Sequence, residues 1–289
     1  KKSKIQVYQK YIKRLNGTWY DFKDKGTEYL DENMPYLKDL DIFGEGSLYQ
    51  YICSANTIYG KKSLVKHLKQ NDYKLDYIIK HQEAVKELSN MQDFANEIET
   101  LSYLTKENKK KNINKEIKKF IEVCEDETPN QVKLNKILMI VLPAILIAVL
   151  ALCLIGINRT FYFNVLKVVI IINLLLAFLN MQKSTSILLP IGDFYKNIKV
   201  YENIFKEIDK QDFESSYLKE LKEGLNKDGG SLKAIKELKK IGSYIDLRQN
   251  FVANIILNAI VLWDFYCIDM FDKWKKSYGK NIRTYLEIV

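Results

Sequence analysis

The feature that most constrains the fold of this chain is an apolar run of 21 residues, Ile137 to Ile157, without a charged side chain. An α-helix rises about 1.5 Å per residue, so a run of this length covers the roughly 30 Å hydrocarbon layer of a bilayer. Pro143 lies inside the run and is tolerated in membrane helices. The run therefore predicts a transmembrane helix.

A second apolar run follows after a link of three residues. It extends from Phe161 to Met181 and is interrupted by three polar residues, Asn164, Lys167 and Asn173. Lys167 lies near the start of the run, where a long side chain can extend its ammonium group to the interface. The two runs together predict an apolar two-helix hairpin within residues 131–185.

The basic residues around the hairpin predict its orientation. Lys133 and Lys136 precede the first run and Lys183 follows the second, whereas only Arg159 lies in the link. By the positive-inside rule, the soluble parts then lie on the cytoplasmic face of the cell membrane. The alternative is that both apolar helices form the dry core of a larger soluble helical domain. We favour the membrane because the first run is long and uncharged.

Composition favours an all-α fold. Hydrophobic residues make up 47% of the 289 residues, and only 4 Pro and 12 Gly are available to interrupt helices. The formal charge of +9 suits a polyanion or an anionic membrane surface. Four cysteines spaced far apart and two histidines predict free thiols in a reducing compartment and no metal site. The opening KKSKIQVYQK has neither Met nor a signal peptide, which predicts a piece of a longer protein.

Apolar residues recur at helical spacing in several segments outside the hairpin. Leu75 to Leu104 carries one apolar stripe and predicts a single helix of roughly 45 Å. After the hairpin, Pro190-Ile191-Gly192 predicts a turn that leads into short amphipathic helices. Gln249 to Trp274 predicts one long core helix, because three asparagines repeat every four residues along an otherwise apolar rod.

A Gly-Glu-Gly-Ser turn at residues 44–47 precedes an apolar helix start at Leu48. The turn lacks the third glycine of a dinucleotide loop and the Gly-Lys-Ser/Thr of a Walker A loop. We therefore interpret the glycines as a sharp turn and Ser47 as the cap of the following helix.

The same turn belongs to a longer pattern of an apolar segment, a Gly-x-Gly-Ser-Leu helix start, a Thr-x-x-Gly turn and a basic helix. Its residues are Leu40, Ile42, Phe43, Gly44, Gly46, Ser47, Leu48, Tyr49, Gln50, Thr57, Gly60, Lys61, Lys62, Leu64 and Leu68, continued by Ile78, Gln82, Ala84, Val85, Leu88 and the run Leu257 to Val289. The pattern resembles the core, or lever, domain of MutS-like DNA mismatch-repair proteins, in particular a membrane-associated bacterial branch. These patches cover about a third of the chain.

The resemblance implies a function. In that family the core domain connects an ATPase domain to DNA-binding regions and transmits ATP-driven conformational change through stiff helices. The chain would then be a non-enzymatic connector of a DNA-binding ATPase, with no cofactor of its own and with ATP and Mg²⁺ bound in a domain after Val289. The partners implied are double-stranded DNA, a membrane, the ATPase domain of the same chain and a second copy in a homodimer. The alternative is a membrane-anchored structural bundle that tethers or oligomerises partners without a DNA role.

Clustered lysines are the candidate contacts to DNA phosphates or lipid headgroups, since both reward clustered positive charge. The five lysines are Lys61, Lys62, Lys109, Lys110 and Lys111. The last three lie in residues 106–119, which hold seven Lys and two Glu, a local charge of +5. A solvated helix face is the simpler interpretation of such a run.

The order of these features predicts four segments. They are a lead-in helix and loop at 1–35, the first half of a helical core at 36–130, the apolar hairpin at 131–185 and the second half of the core at 186–289. We expect an elongated helical bundle in which the parts before and after the hairpin pack on each other. No local pairing of a nucleophile with a base occurs, so we expect no catalytic, cofactor-binding or metal site.

Overall fold

A computed structural model describes residues 2–69, 74–107, 113–130, 133–156 and 158–288. The chain is 83% helical, and no strand occurs in the part that the structure describes, so the predicted all-α class is confirmed. The α-helices are α1 (Lys2–Leu15), α2 (Tyr36–Asp39), α3 (Leu48–Ile52), α4 (Ile58–Lys69), α5 (Leu75–Asn90), α6 (Gln92–Glu107), α7 (Ile113–Glu125), α8 (Lys133–Ile155), α9 (Arg159–Tyr195), α10 (Ile198–Asp209), α11 (Ser216–Asn226), α12 (Ser231–Asp246), α13 (Phe251–Val261) and α14 (Trp263–Glu287).

The chain forms two compact units, each built from separate stretches of sequence. Unit 1 contains Lys1–Asn114, Lys199–Leu232 and Arg283–Val289, and unit 2 contains Lys115–Ile198 and Lys233–Ile282. Each unit combines chain from both sides of the apolar hairpin. The hairpin itself, α8 and α9, belongs to unit 2.

In unit 1, the predicted cap at Ser47 is confirmed. The backbone N–H of Gln50 donates to Ser47 Oγ at 3.2 Å, which satisfies one of the free N–H groups at the start of α3. The Gln50 amide then donates to the carbonyl oxygens of Tyr20 and Phe22, at 3.0 and 2.7 Å. This buried glutamine therefore ties the lead-in loop to the turn.

The prediction of one helix from Leu75 to Leu104 is wrong, because the chain breaks at Met91 into α5 and α6. Two neighbouring side chains compete for the same carbonyl at the break. Ser89 Oγ and Asn90 Nδ2 both donate to the Lys86 carbonyl oxygen, at 2.7 and 3.2 Å. Local side-chain bonds of this kind offer the backbone an alternative to continuing the helix. The two helices contact each other, and α6 packs mainly against α1.

Aromatic packing forms the core of unit 2. The rings of Phe120 and Phe194 stack with centroids 4.1 Å apart, and Trp274 packs beside Phe120. The Trp274 indole N–H donates to the Ala234 carbonyl oxygen at 2.8 Å, so its polar atom is satisfied inside the core. This cluster joins α7, α9, α12 and α14.

Helix α9 is longer than the sequence predicts. The turn expected at Pro190-Ile191-Gly192 does not form, and the helix continues to Tyr195. The side chains of Leu188, Ile191 and Phe194 are fully buried along this extension. Burial against the core of unit 2 therefore outweighs the helix-breaking tendency of Pro190.

The long core helix predicted from Gln249 to Trp274 is also wrong. The chain breaks at Leu262, which adopts a left-handed conformation with φ of 52°, and α13 and α14 meet at 82°. Asn250, the first residue of the expected polar stripe, instead caps α13 by accepting from the Ala253 N–H at 3.1 Å.

We predict that Gly242→Ala destabilises unit 2 although alanine favours helices. A Cβ at position 242 would lie 2.8 Å from Tyr195 Cβ, too close for the tyrosine to avoid by rotating its ring. Overpacking of this kind costs about 1–3 kcal/mol, more than the roughly 1 kcal/mol gained from helix propensity. Chemical denaturation in detergent micelles measures the difference.

Gly192→Ala is the matched control, since its Cβ would lie 3.4 Å from Ile245 Cγ2, an ordinary contact. We expect this variant to be as stable as the wild type or more so. Equal stability of the two alanine variants would contradict the packing assigned to Gly242.

Candidate functional site

The hairpin of α8 and α9 carries a large exposed apolar surface in unit 2. Among the described residues, these two helices are long and apolar enough to cross a membrane, α8 over Leu134–Ile155 and α9 over Arg159–Tyr195. Large apolar side chains cover the outside of both helices, including Ile147 at 67% exposed and Phe178 at 69%. Exposed apolar surface on this scale marks contact with lipid or with another protein.

Of the three polar residues of the second apolar run, Asn164 is exposed near the start of α9, and the other two make contacts within the protein. Asn173 is fully buried, and its amide donates to the Ala259 carbonyl oxygen of α13 at 2.7 Å. Lys167 extends back over the ring of Phe163, with its Nζ 4.7 Å from the ring centroid. The first contact hides the polar group inside the protein, and the second turns the ammonium toward the start of α9.

Helix α13 packs against α9 and α8, and a buried polar cluster holds its junction with α14. Arg248 Nε donates to both carboxylate oxygens of Asp264 at 3.1 Å, and its Nη2 donates to Thr185 Oγ1 at 2.8 Å. The Asp264 N–H donates to Asn258 Oδ1 at 3.1 Å, across the break. The cluster satisfies the Asp264 N–H at the break, and its bond between Arg248 and Thr185 fastens α9 to the segment before α13.

Sequence reasoning did not identify this cluster, because Thr185, Arg248 and Asp264 are far apart in sequence. The asparagine repeat was the signal that could have found it. Of that repeat only Asn258 is buried, whereas Asn250 is exposed and Asn254 is half-buried, so the expected buried stripe does not form along the whole helix. The repeat also gave no sign of the break.

The lysines predicted as phosphate or lipid contacts fall into two groups. Lys61 forms an ion pair with Asp24, and Lys62 extends over the ring of Tyr59 with Nζ 5.4 Å from the centroid. Lys109, Lys110 and Lys111 lie outside the described residues. A contact to DNA or lipid through these five lysines stays a prediction.

Burial by itself would lower the pKa of Lys61, but the hydrogen bond and negative charge of Asp24 outweigh it, and the pKa is raised. The ammonium therefore stays charged at neutral pH. For Lys61 to bind a phosphate, the phosphate would have to compete with Asp24.

The two histidines of the chain, on α4 and α5, come together in unit 1. The rings of His67 and His81 lie 4.8 Å apart, and His67 Nε2 is 2.9 Å from the Tyr77 hydroxyl. Burial lowers the pKa of His81, and the charge of His67 lowers it further.

Within the described ranges, no group of three or more His, Cys, Asp or Glu side chains is placed to hold a metal ion.

Comparison with known proteins gives no family for this chain. No family model, no curated protein and no solved structure matches it. The MutS-like core domain therefore stays an interpretation of the sequence pattern.

We predict a measurable coupling between Asp24 and Lys61 in a double-mutant cycle of Asp24→Asn and Lys61→Met. Both side chains are more than two-thirds buried, so we expect about 1 kcal/mol in the free energy of unfolding. Because the pKa of Lys61 is raised on folding, this stabilisation is complete below the unfolded pKa and is lost as the pH rises through the folded pKa. The coupling should be equal at pH 7 and pH 9 and should disappear only above the ordinary lysine value of 10.5.

The control is the exposed pair of Asp76 and Lys80, one helical turn apart on α5. A double-mutant cycle of Asp76→Asn and Lys80→Met should give a smaller coupling free energy, because solvent screens this pair. Couplings of equal size in both cycles would show that burial adds nothing to the Asp24–Lys61 pair.

Proposed function

We propose that unit 2 anchors this chain in a membrane through α8 and α9, and that α9 connects the anchor rigidly to the folded core of the same unit. The observation that carries the proposal is the continuity of α9. Its first part is covered with exposed apolar side chains, and its last part is buried among protein side chains.

The length of α9 suits both roles at once. Thirty-seven residues rise roughly 55 Å, and the hydrocarbon layer takes about 30 Å of that length. About 25 Å then remains, of which the mostly buried stretch from Ser184 to Phe194, 11 residues long, takes roughly 16 Å. A continuous helix also keeps its backbone hydrogen bonds internal at the membrane boundary, where a loop would leave some of them unsatisfied.

Helix α8, the other helix of the hairpin, is attached near its N-terminus to α14 by an ion pair. Lys136 Nζ lies 3.2 Å from one carboxylate oxygen of Asp269 on α14, and Lys273 Nζ lies 2.7 Å from the other. With α9 fastened by Phe194 and Thr185, both helices are held on the core side. A displacement of the hairpin would therefore move the core with it, because packed helices shift as units.

We further propose that both units lie on the cytoplasmic face of the membrane and that α9 transmits motion between the anchor and the core. The family resemblance adds the DNA-binding and ATPase parts, in which the connector would relay changes in an ATPase domain of the same protein. These parts are supported by the residues of the resemblance, including the Gly-Ser-Leu helix start that Ser47 caps. A static tether that only holds partners at the membrane is the alternative, and the stiffness of α9 suits it equally.

We predict that the double variant Ile147→Arg and Ile171→Arg is lost from membranes. Both residues are more than 60% exposed near the middle of an apolar run, and arginine there costs about 3 kcal/mol per site for insertion. Alkaline extraction of membranes from expressing cells should release most of the variant while retaining the wild type.

The matched control is Leu15→Arg with Leu40→Arg, two exposed leucines of unit 1. This variant carries the same charge change, and we expect it to be retained like the wild type. Retention of the hairpin variant at the wild-type level would contradict the membrane anchor.

We also predict that α9 behaves as one rigid rod in a bilayer. Spin labels attached through a bioorthogonal amino acid at Phe163 and Lys196, 33 residues apart and both exposed, should lie about 50 Å apart. Pulsed electron paramagnetic resonance in nanodiscs should give one narrow distance distribution. Two glycines inserted after Gln182 should broaden it, since glycine lowers helix stability.

A broad or bimodal distribution in the uninterrupted chain would overturn the rigid connection. That result would leave membrane anchoring intact and remove the relay.

A further inference from the structure

Helix α13 of unit 2 turns its apolar side outward and its polar side inward. It contains no charged residue, Asn258 is buried and Asn254 is half-buried. Its exposed side chains are all large and apolar, from 41% to 76% exposed: Phe251, Val252, Ile255, Ile256 and Ile260. A helix in water exposes its polar face, so this arrangement indicates an apolar environment around α13.

The five exposed side chains form one continuous face. Successive residues of an α-helix are rotated by about 100°, so these five occupy one half of the circumference of α13. Asn254 and Asn258 occupy the other half, which faces the protein. The apolar face is therefore a surface of the folded unit rather than a set of scattered side chains.

A contact with α9 sets the position of α13 along the hairpin. The Asn173 amide donates to the Ala259 carbonyl oxygen at 2.7 Å, and Asn173 is fully buried. Asn173 lies eight residues before Met181, where the second apolar run ends, a distance of about 12 Å along the helix. With α9 crossing the bilayer as proposed above, the end of α13 lies inside the hydrocarbon layer.

The break after α13 is packed against both helices of the hairpin. Leu262 is fully buried in one apolar cluster with Met139 of α8 and Val169 of α9. The Leu262 N–H donates to the Asn258 carbonyl oxygen at 3.2 Å, and the Asp264 N–H donates to Asn258 Oδ1 at 3.1 Å. Irregular backbone at membrane depth is tolerated where the protein satisfies its polar groups, and Asn258 satisfies both of these.

Helix α13 is too short to cross a bilayer. Its 11 residues rise roughly 16 Å, about half of the 30 Å hydrocarbon layer. The helices before and after it, α12 and α14, are joined in the core of unit 2 by the bond from the Trp274 indole to the Ala234 carbonyl oxygen. The chain therefore approaches α13 from the core and returns to the core after the 82° turn into α14.

We propose that α13 is a re-entrant membrane helix whose exposed apolar face contacts lipid acyl chains. The proposal rests on the membrane anchor proposed above and extends it, because α13 packs on both α8 and α9 and exposes apolar side chains beside theirs. Contacts between helices in membranes favour small or polar residues, and the exposed face of α13 has neither. Its chemistry therefore fits lipid better than a second protein helix.

The test measures the surroundings of single spin labels on the full chain in lipid nanodiscs. The labels are attached through a bioorthogonal amino acid at Ile256 on α13, Ile171 on α9 and Lys236 on α12, all of them exposed. Power saturation compares collisions with oxygen, which dissolves in hydrocarbon, and with a nickel chelate, which stays in water. We expect the ratio of oxygen to chelate collisions at Ile256 to match Ile171 and to exceed Lys236 about tenfold or more, since the bilayer core holds no water.

The label at Ile171 separates this proposal from the anchor. Exposure of Ile256 to the chelate, with Ile171 protected from it, would overturn the re-entrant helix and leave the anchor intact. Exposure of both positions to the chelate would overturn both. Protection of Ile256 from oxygen as well as from the chelate would show a protein contact, such as a second copy of the chain, and would also overturn the proposal. Val252 on the same face is the second label site if circular dichroism shows that the label at Ile256 prevents folding.

Discussion

The structure of unit 2 depends on the burial of the last three turns of α9. Leu188, Ile191 and Phe194 are fully buried there, and the stack of Phe194 on Phe120 joins α9 to α7. These contacts keep the chain helical through Pro190, where a proline otherwise disfavours a helix interior. Without that burial, the apolar hairpin would be connected to the core by a turn rather than by a continuous helix.

The buried polar side chains next to the hairpin donate hydrogen bonds to other groups of the protein. The Asn173 amide donates to a backbone carbonyl of α13, and Arg248 binds Asp264 and Thr185 together. A charged pair with side chains only 15% and 5% exposed is tolerated because its donors and acceptors are matched. The exposed surface over residues 137–155 and 168–179 is thereby left apolar, as contact with lipid requires.

In unit 1, two charged side chains have roles unrelated to the hairpin. Lys61, in the segment that resembles the MutS-like pattern, contacts Asp24 of the lead-in loop and so contributes to folding. Glu99 on α6 accepts a hydrogen bond from the Tyr11 hydroxyl at 2.8 Å and so joins α6 to α1.

The sequence by itself determined the all-α class, the two apolar helices and the cap at Ser47. Each of these follows from local chemistry: the period of apolar residues, the length of an uncharged run, and a side chain that reaches an N–H three residues away.

The tertiary structure alone decided where helices break and where they continue. Met91 and Leu262 lie inside periodic patterns that the chain interrupts, and Pro190 lies in a helix that the pattern would have ended. The contact between Glu99 and Tyr11 was likewise hidden, because the two residues lie far apart in sequence. Burial and hydrogen bonding between such distant stretches outweigh local propensity, and no local pattern records which stretches meet.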